Sequence, residues 1–459
     1  MKRHFQIMTL ALAAILTACT SQEPAAPAVA TDETQSDTST HSSIRTVDEA
    51  AAVARHSLSM LPQSDSRSGI TRSFDKNDVK VATRQSQSRS GETDTLMYVF
   101  NFDDNQGFAV VAADSRVKPL IAVTEMGCYD PDSIPDNPGL AMYMDAAETL
   151  LSNVADGVIG GGGNPKDDPE LFIKPAGGPT YPGGGGGGNS GSPIPETKEI
   201  SDTTWTYWIH PNYDLRWGQR FPEGIFCDNG TAGCSNIGCF IAMAYMEIPK
   251  QLTLTYSGSN NATIDIDWVT IKRHKESFDF ELSLNYDGCG YKAPVHTTIG
   301  QICRELGERN GTTYNPNSKQ SSTFFDRLAP TLRNMGMTVS NPADWGNFDP
   351  YLSIAHKKIV ITRGENELGG HVWVVDGFNY WNVNKKFYYK SNDDWILSDE
   401  RMTEFRYNHI NWGWNGNGNG YFASFTWDPR NPYFYDDSYK PSDVPAFTNR
   451  IMYIIVSKE

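Results

Sequence analysis

The chain has 459 residues, which is too many for one typical hydrophobic core and enough for two domains. Hydrophobic residues make up 39% of the sequence and aromatic residues 12%, so long stretches can fold by burying apolar surface. The formal net charge of -16, with few basic clusters, argues against binding to a polyanion. Nucleic acid is therefore excluded as a partner.

The N-terminus has the pattern of an export signal that ends in a lipidation site. Lys2 and Arg3 form a positive n-region, and the apolar run over residues 8–16 is too short to span a bilayer as a stable anchor. The run ends in LTAC, which resembles a bacterial lipobox, where the cysteine is acylated and becomes the mature N-terminus. We predict a signal peptide over residues 1–18 and lipidation of Cys19; an ordinary secretory signal is the alternative.

Composition divides the rest of the chain. Residues 19–45 are Ser, Thr, Ala, Pro, Glu and Asp with almost no apolar content, which predicts a disordered tether. Residues 157–198 are rich in Gly and Pro and predict a flexible linker open to proteases. The remainder, residues 199–459, predicts a second domain in which helices near the start give way to strands.

Between the tether and the linker, residues 46–156 predict a small α+β unit large enough for its own core. Thr46 and Glu49 fit a capping box at the start of a helix. Strands follow over residues 95–124, and a second helix is predicted at 139–154.

A cysteine at the start of a predicted buried helix is the first candidate for catalysis. Ile237 and Ile241 follow Cys234 at positions suited to packing, and Gly233 lets the backbone approach closely. A thiol at a helix N-terminus feels the positive end of the helix dipole, which favours the thiolate. Cys239 is a second candidate, but it would be buried a turn and a half into the helix.

Two segments further along the chain carry residues that can serve a thiolate. His371 opens an apolar, strand-like run bounded by glycines, 137 residues after Cys234, which is within the range typical of papain-type enzymes. Asn411 could orient the imidazole, and Trp412 could shield that hydrogen bond from water. Each piece alone is common, but the order Gln219, Cys234, His371 and Asn411 is rare by chance.

Cysteine spacing argues against a metal site. The chain has seven cysteines, six of them after Cys19, and no CxxC pairs that would hold zinc. We expect neither a metal nor an organic cofactor.

Together these motifs resemble the streptopain family of papain-like cysteine proteases. The matching segments of the second domain are AGC followed by MAY and Pro249, then GGHVWVVDGF, then HINWGWNGNGNGYF. The segments VDEAAAVARHSL, YVFNFDDNQGFAVVAADSRVKPLIAVTE and NPGLAMYMD resemble the family's inhibitory propeptide. Ser235 and Asn236 depart from the small or branched apolar residues usual after the cysteine. The register of MAY and Pro249 nevertheless favours Cys234 over Cys239.

The resemblance implies a papain-like α+β protease domain preceded by a small α+β inhibitory propeptide domain. Cys234 would be the nucleophile and His371 the general base and acid. Gln219 would donate a side-chain N–H to the oxyanion beside the Cys234 backbone N–H, and Asn411 with Trp412 would orient the histidine. The chain would be the zymogen of a cysteine endopeptidase.

The expected partners are protein or peptide substrates, the chain's own propeptide as an intramolecular inhibitor, and a membrane reached through the lipid anchor. Members of the resembled family in Bacteroides-type bacteria are often lipoproteins. We therefore expect a cell-envelope location, on the outer membrane or cell surface, with release after processing. Two alternatives stay open: a Cys-His amidase acting on cell-wall peptides, and a surface-binding lipoprotein whose protease site has decayed.

Overall fold

The computed structural model describes residues 44–61, 71–85, 92–157, 197–274, 294–346, 348–366, 369–391, 394–424 and 451–458. These residues lie in one compact unit, Ser42–Glu459. The predicted signal peptide, Cys19, the predicted tether up to residue 43 and linker residues 158–196 lie outside the described residues.

Helices occur in both halves of the chain. They are α1 Val47–Ser57, α2 Pro138–Ala155, α3 Cys234–Met246, α4 Trp268–Arg273, α5 Pro294–Asn310, α6 Leu328–Asn334 and α7 Tyr351–Ala355. Short 3-10 helices lie at Leu58–Met60, Lys76–Asp78, Asp103–Asn105 and Phe325–Arg327. Within the described ranges, no helix has the length and apolar character needed to cross a membrane.

The strands fall into an N-terminal and a C-terminal group. The first group is β1 Lys80–Gln85, β2 Thr93–Asn101, β3 Phe108–Ala112, β4 Leu120–Thr124 and β5 Thr197–Ile209. The second group is β6 Gln251–Thr253, β7 Thr263–Asp265, β8 Thr313–Tyr314, β9 Ser321–Ser322, β10 Thr338–Val339, β11 Ala343–Asp344, β12 Ile359–Asn366, β13 Gly369–Ser391, β14 Asp394–Asn411, β15 Gly420–Ala423 and β16 Met452–Ser457.

One large sheet runs through both halves of the chain. Its described strands lie in the order β1-β2-β3-β4-β15-β14-β13-β12-β16-β10, with β5 paired to β13 and β11 paired to β16. The halves join where β4 pairs antiparallel with β15, so that Thr124 lies opposite Gly420 and Ala122 opposite Phe422. The front unit therefore extends the sheet of the second domain.

The predicted elements of the front unit are confirmed. Thr46 and Glu49 form both hydrogen bonds of the capping box at the start of α1. The strands expected within residues 95–124 are β2, β3 and β4, and the expected second helix is α2. Arg45, placed by prediction in the tether, is held instead by a 2.7 Å hydrogen bond from its N–H to the Ala113 carbonyl.

The front unit does not have a core of its own. One continuous apolar core includes Val110 and Leu150 of the front unit together with Trp373, Trp412 and Phe422 of the second domain. The cause is the position of α2, which lies against β2 of the front unit and against β12 and β13 of the second domain, and is buried on nearly every side. Both halves thus contribute to one interior.

A second core lies behind α3. Trp217 stacks on Phe240 with ring centroids 4.3 Å apart, and Ile302, Leu332 and Ile454 complete the packing. This core fixes the helix that begins at the candidate nucleophile.

The second domain opens with a strand rather than with helices. β5 begins at Thr197, inside the segment predicted as linker, and pairs along β13 from Tyr389 to Phe378. Residues 197–209 form a strand because they pair with the long strand β13. The local sequence of these residues does not reveal that partner.

Candidate active site

Cys234 is the first residue of α3 and remains partly exposed. The preceding residue, Gly233, has φ 91°, which a residue with a side chain rarely adopts. A Cβ at Gly233 would also lie 2.2 Å from the Ser321 hydroxyl oxygen. Both the backbone conformation and the lack of space therefore favour glycine before the cysteine, as predicted.

His371 lies on β13 and is 2% exposed. Its Nε2–H donates to the backbone carbonyl of Trp412 at 2.8 Å, and the ring of Trp414 lies edge-on to it at 6.1 Å. This contact leaves Nδ1 for the thiol. The histidine is therefore oriented by main chain from the segment that follows β14.

The thiol of Cys234 and the imidazole of His371 stabilise each other's charged forms. Burial alone would raise the pKa of Cys234, but the charge of His371, its hydrogen bond and the Val372 and Ser235 amides lower that pKa below its ordinary value. Burial alone would lower the pKa of His371, and Cys234 followed by the Trp412 carbonyl raises it. A thiolate–imidazolium pair is the form that nucleophilic catalysis requires.

The other buried thiols have the opposite character. Burial raises the pKa of Cys239 to about 12 and that of Cys227 to about 11, and it raises the pKa of Cys303 well above the ordinary value. Cys239 is fully buried, so it offers neither a thiolate nor access. The structure favours Cys234 over Cys239 as the nucleophile.

We expect Cys234 to be alkylated at pH values where an ordinary thiol is protonated. Its lowered pKa makes the thiolate more abundant, at the same pH, than in an ordinary thiol, whose pKa is about 8.5. The measurement is the iodoacetamide rate at each cysteine from about pH 5 to about pH 9, followed by peptide mass spectrometry. Exposed Cys128 is the internal reference. Identical pH curves for Cys234 and Cys128 would contradict the ion pair.

Gln219 lies beside the cysteine loop and is half-buried. Its backbone carbonyl accepts a 2.7 Å hydrogen bond from the N–H of Ala232, two residues before Cys234. Trp217, which stacks on α3, holds the same segment from the other side. The structure thus brings the backbone of this segment to the loop before Cys234, and the oxyanion role of the Gln219 side chain stays a prediction.

Asn411 does not orient the imidazole, and this prediction needs correction. Its Nδ2 donates to the Leu215 carbonyl at 2.6 Å, and its Oδ1 accepts from the Gly413 N–H at 3.0 Å. The acceptor for His371 is the Trp412 carbonyl. Asn411 therefore fixes the turn that carries this carbonyl, because it ties the turn to the Leu215 segment.

Trp412 is present in the site but acts mainly through its backbone. Its ring is fully buried, and its Nε1–H donates to the Gly418 carbonyl at 2.9 Å. Its backbone N–H donates to Asn419 Oδ1 at 3.0 Å. These contacts hold the carbonyl that accepts from His371.

Asn411→Ala is expected to lower both stability and turnover. The change leaves a buried carbonyl and a buried N–H without partners, at a cost of about 1–3 kcal/mol for each. Turnover should fall because the Trp412 carbonyl is no longer fixed. Thermal unfolding and kinetics on the processed enzyme test both effects. Unchanged stability together with lost turnover would instead support direct contact with the histidine.

The structure explains one of the two polar residues that follow the cysteine, Asn236. Asn236 is fully buried; its Nδ2 donates to the Ala232 carbonyl at 2.8 Å, and its Oδ1 accepts from Asn310 Nδ2 at 2.8 Å. It thereby ties the loop before Cys234 to α5. Its position in an otherwise apolar run was the sequence signal for this role.

The front unit contacts the candidate active site through the first turn of α2, a contact that sequence reasoning missed. A Cβ at Gly139 would lie 2.3 Å from the Trp412 ring and 2.7 Å from Cδ2 of His371. Asn137 caps α2, and its Nδ2 donates to the Asn417 carbonyl at 2.9 Å. The helix start therefore rests on the histidine side of the site.

Across the residues that the structure covers, no group of three or more His, Cys, Asp or Glu side chains is placed to hold a metal ion.

Comparison with known proteins matches both halves of the chain. A family model described as Spi protease inhibitor matches residues 42–149, and one described as Peptidase C10 family matches residues 212–422. A solved fragment of Prevotella intermedia prointerpain A is 15% identical with a TM-score of 0.44, covering 83% of this chain and 98% of that one. Active Prevotella intermedia interpain A, a cysteine protease, is 16% identical with a TM-score of 0.33, covering 54% and 94%. No curated protein sequence matches.

The two family models together match more than half of the chain, and they define a cysteine peptidase preceded by an inhibitory propeptide. The Cys234–His371 pair is the matching chemistry in the structure. Residues 212–422 therefore form a protease domain of the Peptidase C10 family, the streptopain family, and residues 42–149 in front of it match the Spi-type inhibitor.

Proposed function

We propose that the chain is the precursor of a secreted, lipid-anchored cysteine endopeptidase that cleaves proteins after its propeptide has been removed. The observation that carries the proposal is the position of α2. Its first turn rests on His371 and Trp412, and beneath it Cys234 and His371 each favour the charged form of the other. A zymogen requires this arrangement: catalytic residues that are already assembled and an attached inhibitor that covers them.

The residues of the site support acyl transfer through a thiolate. Cys234 attacks the peptide carbonyl, and its own N–H with the Gln219 side chain stabilises the tetrahedral anion. His371 gives its proton to the leaving amine. Water then hydrolyses the acyl-enzyme with His371 as the base, while the Trp412 carbonyl keeps the ring in place.

Attachment of the inhibitor explains inhibition and its relief. A tethered domain acts at a high effective concentration, so modest contact energy suffices to hold it in place. Cutting within residues 157–198 removes that advantage. The core shared between the halves adds to the contact, so we expect release to be slow unless the propeptide is itself degraded.

The membrane part of the proposal rests on the N-terminal sequence. The LTAC segment predicts acylation of Cys19, and cutting the linker would detach the protease from that anchor. Metabolic labelling with a fatty acid, compared between the natural chain and Cys19→Ser, tests the anchor. Equal labelling of both would exclude it.

The test of the precursor is whether the purified chain without its signal shortens itself. We expect a product that begins between residues 157 and 200 and hydrolyses unfolded protein, and we expect none from Cys234→Ala. Activity on isolated muropeptides but not on protein would support the amidase alternative. A different result would support the surface-binding lipoprotein whose protease site has decayed. In that case the chain does not shorten itself, and it does not cleave protein even after an added protease has cut the linker.

Gln219→Ala should reduce turnover about a hundredfold or more, which is the effect of removing one oxyanion donor. The change is measured on the processed enzyme with substrate at saturation. Asn229→Ala is a control on the same loop, because its Nδ2 contacts the Gln320 carbonyl 2.8 Å away instead of the site. An unchanged turnover number for Gln219→Ala would remove the residue from the oxyanion site.

A further inference from the structure

A second buried cluster of charged side chains crosses the boundary between propeptide and protease. His409 on β14 has its Nδ1 2.5 Å from Asp376 Oδ1 and its Nε2 3.3 Å from Glu125 Oε1. The side chains are 4%, 1% and 13% exposed for His409, Asp376 and Glu125. Both nitrogens of a buried imidazole are thus directed at carboxylates, and the catalytic pair uses none of these groups.

These partners keep the imidazole charged. Burial alone would lower the pKa of His409, but Asp376 and Glu125 raise it to about 10. Burial alone would raise the pKa of Glu125, and His409, followed by Arg216 and Arg72, lowers it. At neutral pH the cluster is therefore an imidazolium between two carboxylates.

The two carboxylates have different origins. Asp376 lies on β13 and also accepts a 2.8 Å hydrogen bond from the Tyr245 hydroxyl, so the protease itself fixes it. Glu125 directly follows β4 and belongs to the propeptide. Removal of the propeptide leaves Asp376 beside His409 and takes away the partner of Nε2. The protease alone then carries a charged N–H donor that lacks its second carboxylate.

Main-chain pairing places Glu125 at this donor. Its N–H donates to the Asn419 carbonyl at 2.8 Å, immediately after the β4–β15 ladder. A slip of β4 by one residue would direct the Glu125 side chain to the opposite face of the sheet. The buried charge pair adds to the register specificity of the apolar contacts, because only the observed register brings Glu125 to His409.

From this geometry we propose that His409, held by Asp376, is a carboxylate-binding site of the protease, and that the propeptide docks in one register because Glu125 fills it. The ligand is a carboxylate side chain on an extended strand that pairs with β15. The inference rests on the proposed precursor, but it concerns docking and not catalysis.

The test measures hydrogen exchange in the full chain with Cys234→Ala, so that no variant can process itself. The reporting peptides cover residues 120–124 and 420–423, and residues 237–244 of α3 report on the protease interior. Glu125→Ala should make the two reporting peptides exchange about tenfold faster or more, because a charged hydrogen bond across the boundary is lost. Exchange within α3 should stay unchanged.

Asp145→Asn is the matched control. Asp145 is also a propeptide carboxylate that contacts the protease, with its Oδ2 3.0 Å from Asn366 Nδ2, but the contact is exposed. Its loss should change exchange less than about twofold. Sodium acetate should slow exchange in Glu125→Ala by supplying the missing carboxylate, whereas sodium chloride at equal ionic strength should not.

Three results would overturn the proposal: equal effects of Glu125→Ala and Asp145→Asn, equal acceleration within α3, or no rescue by acetate. Should Glu125→Ala fail to fold, Glu125→Gln keeps the shape without the charge and is judged by the same exchange ratios. Because catalysis plays no part in this readout, failure here leaves the proposed protease activity standing. Loss of that activity would likewise leave the docking result intact.

Discussion

Cys234→Ala is expected to abolish peptide-bond hydrolysis and to leave the fold intact. The sulfur is the only atom of the site that can form the acyl-enzyme, and loss of a nucleophile typically costs ~10⁴-fold or more in turnover. Removing the sulfur takes away the thiol partner of the buried His371 Nδ1, but the Trp412 carbonyl still holds the ring, so the fold should persist. Circular dichroism should match the natural chain, and the unfolding temperature should change little.

Cys239→Ala is the matched control for this prediction. Cys239 lies on the same helix, is fully buried and has its pKa raised to about 12. Its replacement removes one buried sulfur atom, so stability should fall modestly while the processed enzyme keeps its turnover. Activity lost in Cys239→Ala and kept in Cys234→Ala would reverse the assignment of the nucleophile.

Gly139→Ala is expected to release the protease from inhibition in the uncut precursor. The new Cβ would overlap the Trp412 ring and the His371 ring, so the first turn of α2 must move away. Overpacking of this kind costs typically about 1–3 kcal/mol, which corresponds to roughly 5- to 150-fold weaker docking. Alanine also suits a helix better than glycine, so α2 itself should persist.

The measurement is the rate of self-processing at low chain concentration. Thr149→Ala, at an exposed position on the same helix, should process at the natural rate. After processing is complete, the enzyme from Gly139→Ala should have normal turnover, because the altered residue leaves with the propeptide. A Gly139→Ala precursor as slow as the natural one would show that α2 does not control the site.

The two reacting residues, Cys234 and His371, could be predicted from the sequence because each lies in a segment with a clear local pattern. A glycine, a cysteine and an apolar run define the start of α3, and the apolar run after His371 defines β13. Such patterns combine backbone geometry with side-chain chemistry in one short segment. Their order along the chain then indicated which groups meet.

The acceptor for His371 could not be predicted in the same way. A backbone carbonyl is present at every residue, so nothing in the sequence marks Trp412 as the residue whose carbonyl is used. The asparagine next to it has the side chain usually associated with this role, yet Asn411 bonds to Leu215 and Gly413. A main-chain contact replaced the predicted side-chain contact.

The joining of the two halves also escaped prediction. Four of the five residues of strand β4 are apolar, which indicates burial on both faces but does not identify its neighbour. Its pairing with β15 joins segments about 300 residues apart, and such partners depend on the tertiary arrangement. Gly139 and Glu125 gain their roles only through this docking, so no local pattern distinguishes them.

The most direct test of a Cys234–His371 protease held as a precursor is covalent labelling of the processed enzyme. The chain is allowed to process, treated with an irreversible epoxide inhibitor of cysteine proteases, and examined by intact mass and peptide mapping. We predict one inhibitor molecule per chain, located on Cys234, with loss of hydrolysis in proportion to labelling. Labelling at Cys239, or full hydrolysis with Cys234 unlabelled, would contradict the account.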